Sequence, residues 1–245
     1  MLRPICLLTL LFASYPALAG DLTVSAAASL TDAFREIAER YQAERADTRV
    51  LLNFGASGAL LQQMAKGAPV DVFASADQQT MDRAQQLGLV RAQARHDFAG
   101  NALVLVVPAD STRTLTRLDD LLGADRVAIG NPDSVPVGRY SRQALQAAGL
   151  WQQVEARAVG TQNVRQSLDY VARGEVDAAF VYRSDVGSMP DQVRVALEVP
   201  LQEAIRYPIA AIAESGSADE AARFVDYVLS ADGQAVLGRH GFLRP

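Results

Sequence analysis

The chain has 245 residues, of which 49% are hydrophobic and 21% are charged, and its formal net charge at pH 7 is −5. These proportions are those of an ordinary globular protein, and the length fits one large domain or two small ones. The acidic balance gives no support for nucleic-acid binding. The sequence has only two histidines, His96 and His240, which excludes a histidine-rich metal site.

The first predicted element is a secretory signal over residues 1–19. Arg3 provides its positive charge, Ile5–Ala13 forms a short apolar run, and Ala17–Ala19 reads as an A-x-A cleavage site. The apolar run is too short to anchor a chain in a bilayer. The only cysteine, Cys6, lies inside this signal, so the mature chain is expected to have no disulfide and to be secreted without a membrane anchor.

Apolar, β-branched runs alternate with helical patterns along the rest of the chain. Helical spacing is clearest in the stretch that carries Leu30, Phe34, Ile37 and Tyr41. Nine runs are predicted as strands: Leu22–Ala28, Arg49–Gly55, Val70–Ser75, Ala102–Pro108, Arg126–Gly130, Val154–Gly160, Asp177–Arg183, Val193–Val199 and Tyr207–Ala213. The alternation predicts an α/β fold with open sheets, and nine strands favour two sheets over one.

Four predicted helix starts, far apart in the chain, each offer free N–H donors. They lie in AAASLTDAF at 26–34, NFGASGALL at 53–61, PDSVPVGRY at 132–140 and GTQNVRQSL at 160–168. A helix start exposes unpaired N–H groups and the positive end of the peptide dipole. All four follow predicted strands, and ligands of open α/β sheets bind beyond the carboxyl ends of strands. If the four converge, they form an anion site without a charged side chain.

The first two of these starts each carry a serine. Ser29 follows the first strand, and its spacing from Asp32 predicts an N-cap with acidic support. Ser57 repeats the arrangement between Gly55 and Gly58, where the glycines let a ligand approach the backbone. One such serine alone is an ordinary helix cap, whereas two strand–serine–helix turns favour a ligand site.

The other two starts offer backbone donors. Pro136 sets the entry of a helix and leaves the N–H of Val137 free, and an Asn163 cap leaves the N–H of Val164 free. Tyr182 ends an apolar strand, so its ring is expected in the core. Its hydroxyl becomes a ligand donor only if it points at the same spot as the helix starts.

Six segments, in this order, resemble the periplasmic molybdate-binding proteins of ABC importers, and the resemblance runs from Asp21 to the C-terminus. The segments are AAASLTDAF, NFGASGALLQQM, GAPVDVFASAD, GNPDSVPVGRY, NVRQSLDYVARGEVDAAFVYRSD and YPIA. The resemblance implies the type II binding-protein fold, with two lobes that are each a mixed, mostly parallel sheet flanked by helices. It places lobe 1 at residues 20–100 and 206–245, lobe 2 at 101–205, and the ligand in the cleft between them.

The resemblance also implies a ligand set. Ser29 and Ser57 would bind the oxyanion through hydroxyl and backbone N–H, Val137 and Val164 through backbone N–H, and Tyr182 through its hydroxyl. Relatives often have a smaller residue at the position of Val137. The implied ligand is molybdate, with tungstate, delivered to an ABC permease by a monomeric periplasmic protein that has no enzymatic activity and no cofactor.

One alternative is a binding protein for another oxyanion, such as sulfate. Arg139 and Arg165 flank two of the helix starts and could then contact the anion, although they also read as solvated arginines on a helix face.

A second alternative is a secreted serine hydrolase with Ser57 as nucleophile. Gly55 and Ser57 follow a strand as in a nucleophile elbow, and Asp226 and His240 come later in the order that such enzymes use. The second glycine of an elbow is missing, because alanine stands at position 59.

Overall fold

The structure, a computed structural model, describes residues 20–245, so the predicted signal over 1–19 lies outside the described residues. The strands are β1 (Gly20–Ala27), β2 (Thr48–Gly55), β3 (Val72–Ala74), β4 (Val90–Asn101), β5 (Leu103–Pro108), β6 (Val127–Gly130), β7 (Ala158–Thr161), β8 (Ala178–Tyr182), β9 (Val193–Val199) and β10 (Ile205–Ile212). The helices are α1 (Thr31–Glu44), α2 (Ser57–Ala65), α3 (Gln78–Gln86), α4 (Pro136–Ala147), α5 (Trp151–Glu155), α6 (Val164–Ala172), α7 (Arg183–Val186), α8 (Ala218–Leu229) and α9 (Ala231–Arg239).

Two five-stranded sheets of equivalent topology organise these elements. The first has the order β2-β1-β3-β10-β4 and the second the order β7-β6-β8-β5-β9. Three neighbouring strands in each sheet are parallel, and β10 or β5 runs antiparallel to both of its neighbours. Four of the five strands in each sheet therefore point the same way, and the predicted fold class is confirmed.

The chain crosses between the sheets twice. It passes from β4 to β5 through Ala102 and returns between the end of β9 and the start of β10. We call the first sheet with α1–α3, α8 and α9 the sheet-1 half, and the second sheet with α4–α7 the sheet-2 half.

Each of the nine predicted strands overlaps a strand of the structure, with ends that differ by up to four residues, and one strand is not predicted. Val154 and Glu155 lie in α5, so the predicted strand Val154–Gly160 begins too early, and Arg183 begins α7 instead of ending β8. The sequence pattern does not predict β4 at all. This strand is the edge of its sheet, and most of its first eight residues are at least partly exposed, so it lacks the apolar run that marks a buried strand.

The start of α1 is fixed by an aromatic core. Phe34, Ile37 and Tyr41 are at most 2% exposed, as their helical spacing predicts. The ring of Phe34 meets Phe98 of β4 edge-on at 5.8 Å and Phe224 of α8 at 6.3 Å. This packing holds the segment between β1 and α1 at one end of the sheet.

The start of α4 lies directly on the end of β6. A Cβ atom on Gly138 would stand 1.9 Å from the carbonyl oxygen of Gly130. Only glycine permits this approach, which fixes the position of the neighbouring Val137.

Candidate oxyanion site

A small cavity lies between the two sheets. Its walls come from segments that follow the carboxyl ends of β1, β2, β3, β6, β7 and β8. The lining residues are Ala27, Ala28, Ser29, Gly55, Ala56, Ser57, Ala76, Val135, Pro136, Val137, Asn163, Val164 and Tyr182. None of these side chains carries a formal charge.

The structure brings all five residues of the predicted ligand set to this cavity. Ser29 lies in a short 3₁₀ helix after β1, Ser57 is the first residue of α2, Val137 the second of α4 and Val164 the first of α6, and Tyr182 ends β8. First-turn N–H groups have no acceptor inside their own helix. That these residues bind an anion stays a prediction.

The two serines do not cap helices, contrary to the sequence prediction. Ser29 lies within the 3₁₀ turn that precedes α1, and the N-cap of α1 is Leu30. The Ser29 hydroxyl instead forms a hydrogen bond with the hydroxyl of Tyr207, at 2.9 Å. Ser57 follows the N-cap Ala56, and its Oγ accepts a hydrogen bond from a backbone N–H beyond β3.

Asn163 does cap its helix. Its Oδ1 accepts a hydrogen bond from the N–H of Gln166 at 3.1 Å, as the sequence predicts. The cap satisfies the N–H of the third residue of α6 and leaves that of the first, Val164, at the cavity.

Tyr182 carries an unsatisfied hydroxyl. The residue is 1% exposed, and its Oη has no hydrogen-bond partner within residues 20–245. Burial raises the pKa of this phenol well above its ordinary value, so the hydroxyl keeps its proton. Buried polar groups are nearly always paired, and an unpaired one calls for an explanation. An acceptor bound in the adjacent cavity would provide one.

Arg139 is not the solvated arginine that the sequence suggests, nor does it line the cavity. Its Nε lies 2.7 Å from Oδ2 of Asp77, and its Nη2 donates to Oγ1 of Thr80 at 2.7 Å. Arg139 is 7% exposed and Asp77 is 4% exposed. Because Arg139 belongs to the sheet-2 half and its partners to the sheet-1 half, the pair joins the two halves.

Arg165 joins the halves at a second place. Its Nη1 lies 2.8 Å from Oδ2 of Asp32 in α1, and its Nε lies 3.0 Å from Oδ1 of the buried Asp185 in α7. The second pair is an ion pair without hydrogen-bond geometry, because neither atom has a hydrogen-bond partner in the described chain. Burial raises the pKa of Asp185 to about 6, although the charge of Arg165 opposes the shift.

A backbone contact also spans the cleft. The N–H of Gly58 in α2 donates to the carbonyl oxygen of Ser134, before α4, at 3.0 Å. A Cβ atom on Gly58 would stand 2.6 Å from that oxygen. The halves therefore touch beside the cavity through a position that only glycine fits.

The predicted alternative of a hydrolase triad is not assembled. Ser57 Oγ accepts from the N–H of Ala76 at 3.0 Å, whereas Nε2 of His240 lies 2.9 Å from a Glu36 carboxylate oxygen. Asp226 is exposed on α8. No histidine lines the cavity, so Ser57 has no general base there.

Two wider features of the described chain bear on the class of protein. Residues 20–245 contain no group of three or more His, Cys, Asp or Glu side chains placed to hold a metal ion. None of the helices in that range combines the length and hydropathy that crossing a membrane requires.

Two joined α/β halves around a small cavity without charged side chains are the architecture of a solute-binding protein. The chain belongs to the family of bacterial extracellular solute-binding proteins, whose sequence profile matches residues 22–243.

Relatives and solved structures agree with this membership. The chain is 34% identical over 230 residues to the molybdate-binding protein ModA of Escherichia coli, covering 91% of this chain and 89% of that protein. The periplasmic molybdate-binding protein of Azotobacter vinelandii has a TM-score of 0.81 at 22% identity, covering 91% of this chain and 99% of that one. The sulfate-binding protein SubI of Mycobacterium tuberculosis has a TM-score of 0.80 at 18% identity, covering 91% and 86%. At these identities the two structures show the fold alone.

Three residues beside the site are not predicted from the sequence. Ala76 holds Ser57 through its N–H, and Tyr207 contacts Ser29 and, through its own hydroxyl, Asn101. Tyr207 stands in one of the segments that carry the resemblance, but no role follows from its position in the chain. Its contact with Ser29 depends on β10 returning to the first sheet from residue 205 onward, a pairing that spacing does not reveal.

Proposed function

We propose that this protein captures molybdate outside the cytoplasm and delivers it to the permease of an ABC importer. Ser29, Ser57, Val137, Val164 and Tyr182 bind the oxyanion, and tungstate, an ion of nearly the same size, binds as well. The relatives support the choice of ion, and the predicted signal over residues 1–19 supports a periplasmic location. We propose that the protein acts as a monomer.

One observation carries the proposal: no lining residue of the cavity has a charged side chain, and one of these residues, Tyr182, has a buried, protonated hydroxyl without a partner in the described chain. Molybdate is a tetrahedral dianion that carries no proton at neutral pH, so it offers only acceptors. Hydrogen bonds to an ionised acceptor are about twice as strong as neutral ones. A protonated oxyanion would bring its own O–H against these donors, at a cost of about 1–3 kcal/mol.

The two halves act as lobes in this proposal, residues 20–100 with 206–245 as one and 101–205 as the other. Ser29 and Ser57 then belong to one lobe, and Val137, Val164 and Tyr182 to the other. A ligand that contacts both lobes favours the arrangement in which they touch. The size of this shift equals the difference between the ligand's binding free energies for the closed and the open arrangements. We propose that the permease recognises this closed arrangement.

Calorimetric titration of the mature, ligand-stripped protein tests the proposal, with molybdate, tungstate, sulfate and phosphate in separate runs. We expect tight binding of molybdate and tungstate and much weaker binding of sulfate, which is too small to reach donors of both lobes at full strength. Equal affinity for sulfate and molybdate would favour the alternative of a general or sulfate-specific oxyanion protein. No binding of any of the four would refute an oxyanion site.

A further inference from the structure

A chain of three hydrogen-bonding groups leads from the crossing between the sheets to the cavity. Nδ2 of Asn101 lies 3.3 Å from the hydroxyl of Tyr207, and that hydroxyl lies 2.9 Å from Oγ of Ser29, which lines the cavity. All three residues are buried, with exposures of 7%, 0% and 2%. Asn101 ends β4 at the first crossing, and Tyr207 lies near the start of β10 at the second.

The side-chain amide of Asn101 has only one orientation that satisfies its neighbours. Its Oδ1 accepts from the backbone N–H of Ala102 at 3.0 Å and from that of Ser184 at 3.4 Å. Its Nδ2 therefore faces Oγ of Ser184, at 2.8 Å, and the Tyr207 hydroxyl. An amide NH₂ can only donate, so the oxygen of Tyr207 accepts from Asn101.

The direction of the next bond follows. Because Tyr207 accepts from Asn101, its own proton is free for Oγ of Ser29. Burial raises the pKa of the Tyr207 phenol well above its ordinary value, so this proton stays in place. Ser29 then accepts from Tyr207, and the single proton of its hydroxyl is left to point away from Tyr207, for an acceptor in the cavity.

The other two hydroxyls at the cavity are donors for parallel reasons. Ser57 Oγ accepts from the backbone N–H of Ala76, which can only donate, and Tyr182 Oη has no partner in the described chain. Each of the three hydroxyls thus has a proton available for a guest. The polar atoms behind the cavity, and not only those in its wall, decide that a guest meets donors.

We propose that Asn101 and Tyr207 are positioning residues that fix the proton of Ser29 toward the cavity and thereby select oxyanions that carry no proton. The inference rests on the proposed function and adds to it the residues that exclude hydrogen-bearing anions such as hydrogen phosphate.

Tyr207→Phe removes the donor to Ser29 and keeps the packed ring, so Ser29 can either donate or accept. Calorimetry or competition titration at neutral pH compares molybdate with inorganic phosphate. We expect molybdate to bind about fivefold more weakly and phosphate no more weakly, because one hydrogen bond to an ionised guest is weakened and an acceptor is gained. Tyr140→Phe is the matched control, since Tyr140 packs on Tyr182 at 6.5 Å and makes no bond with Ser29. If the ratio of the two affinities is the same in both variants, the proposal is wrong.

A second test reverses the direction of the hydrogen bonds from Asn101 to Ser29. Asn101→Asp presents an acceptor to Tyr207, which turns the Tyr207 proton toward the carboxylate and the Ser29 proton toward Tyr207. The new charge also repels any anion. The same substitution is therefore also made in the Tyr207→Phe background, where the hydrogen bond to Ser29 is already absent. We expect Asn101→Asp to weaken molybdate binding at least about fivefold more in the wild-type background than in the Tyr207→Phe background. Equal losses in the two backgrounds would overturn the proposal.

The two proposals fail in different ways. A wild-type protein that does not bind molybdate refutes the proposed function. A wild-type protein that binds molybdate, with unchanged selectivity in Tyr207→Phe and equal losses from Asn101→Asp, refutes only the role of Asn101 and Tyr207.

Discussion

Arg139 and Asp77 form a buried ion pair between the two halves of the molecule, with 2.7 Å between Nε and Oδ2. Arg139 is the fourth residue of α4, while Asp77 precedes α3 and caps it by accepting a hydrogen bond from the N–H of Thr80. A buried pair adds little net stability, but removing one partner leaves an uncompensated charge at a cost of about 3–5 kcal/mol. Because the partners come from different halves, removing one of them destabilises the arrangement in which the halves touch.

Arg139→Met should therefore weaken molybdate binding by tenfold or more. The substitution destabilises the arrangement in which the halves touch, and a loss of about 1.4 kcal/mol there already lowers the affinity tenfold. The change is measured by calorimetric titration. Arg142→Met on the same helix is the control, because that side chain is 38% exposed and its nearest carboxylate oxygen, on Asp133, is 4.0 Å away. Similar affinities of the two variants would show that the Arg139 pair does not support ligand binding.

Gly58→Ala should block close approach of the halves without harming either one. The new Cβ would overlap the carbonyl oxygen of Ser134, at 2.6 Å, and a backbone atom cannot move aside as a side chain does. Alanine is also the better helix former, so the unliganded protein should unfold at the same temperature or higher, while molybdate affinity falls about tenfold or more. Gly160→Ala is the matched control, because nothing lies within 4 Å of its added Cβ. Full affinity in Gly58→Ala would mean that the contact is not needed for binding.

Tyr182→Phe and Ser57→Ala should affect stability with opposite signs. The Tyr182 hydroxyl is buried and unpaired, so its removal should leave the unliganded protein equally stable or more stable. Ser57→Ala leaves the N–H of Ala76 without its acceptor and should lower the free energy of unfolding by about 1–3 kcal/mol.

Both substitutions should weaken molybdate binding, as should Ser29→Ala, and the serines should cost more because Tyr182→Phe removes a single donor. Denaturant unfolding without ligand and calorimetry with molybdate measure the two effects. Unchanged affinity in all three variants would place the ligand elsewhere.

Asp185→Asn should change how stability depends on pH. Burial raises the pKa of Asp185 from 3.8 to about 6 in the folded protein, so the folded state binds the proton more tightly than the unfolded state. The stability that this proton contributes is complete below pH 3.8 and is lost as the pH rises through about 6. Relative to wild type, the asparagine variant should therefore gain stability between pH 4 and 7, by up to about 3 kcal/mol.

Denaturant unfolding of both proteins across this range measures the difference. Asp133→Asn, which removes an exposed carboxylate, reports the general effect of one lost negative charge. A difference between wild type and Asp185→Asn that does not vary with pH would contradict the assigned shift.

Local patterns predict nine of the ten described strands and the approximate helix starts, because these depend on neighbours in the chain. Asn163 caps α6 as expected, since the capping oxygen and the N–H that donates to it are three residues apart. Contacts between distant segments were not accessible in this way. Ser29 bonds to Tyr207, 178 positions away, and Arg139 to Asp77, 62 positions away. An arginine near a helix start looks the same in sequence whether water or a buried carboxylate surrounds it.

The absence of charged side chains from the cavity wall has a consequence for unloading. An arginine or lysine in the wall would continue to attract a dianion after the lobes separate, because Coulomb attraction decays slowly with distance. A hydrogen bond, by contrast, weakens steeply once its donor and acceptor move apart by a small distance. Separating the two halves by a small distance would therefore break most of the contacts with the bound anion. A transporter would then need only to open the cleft for the anion to dissociate.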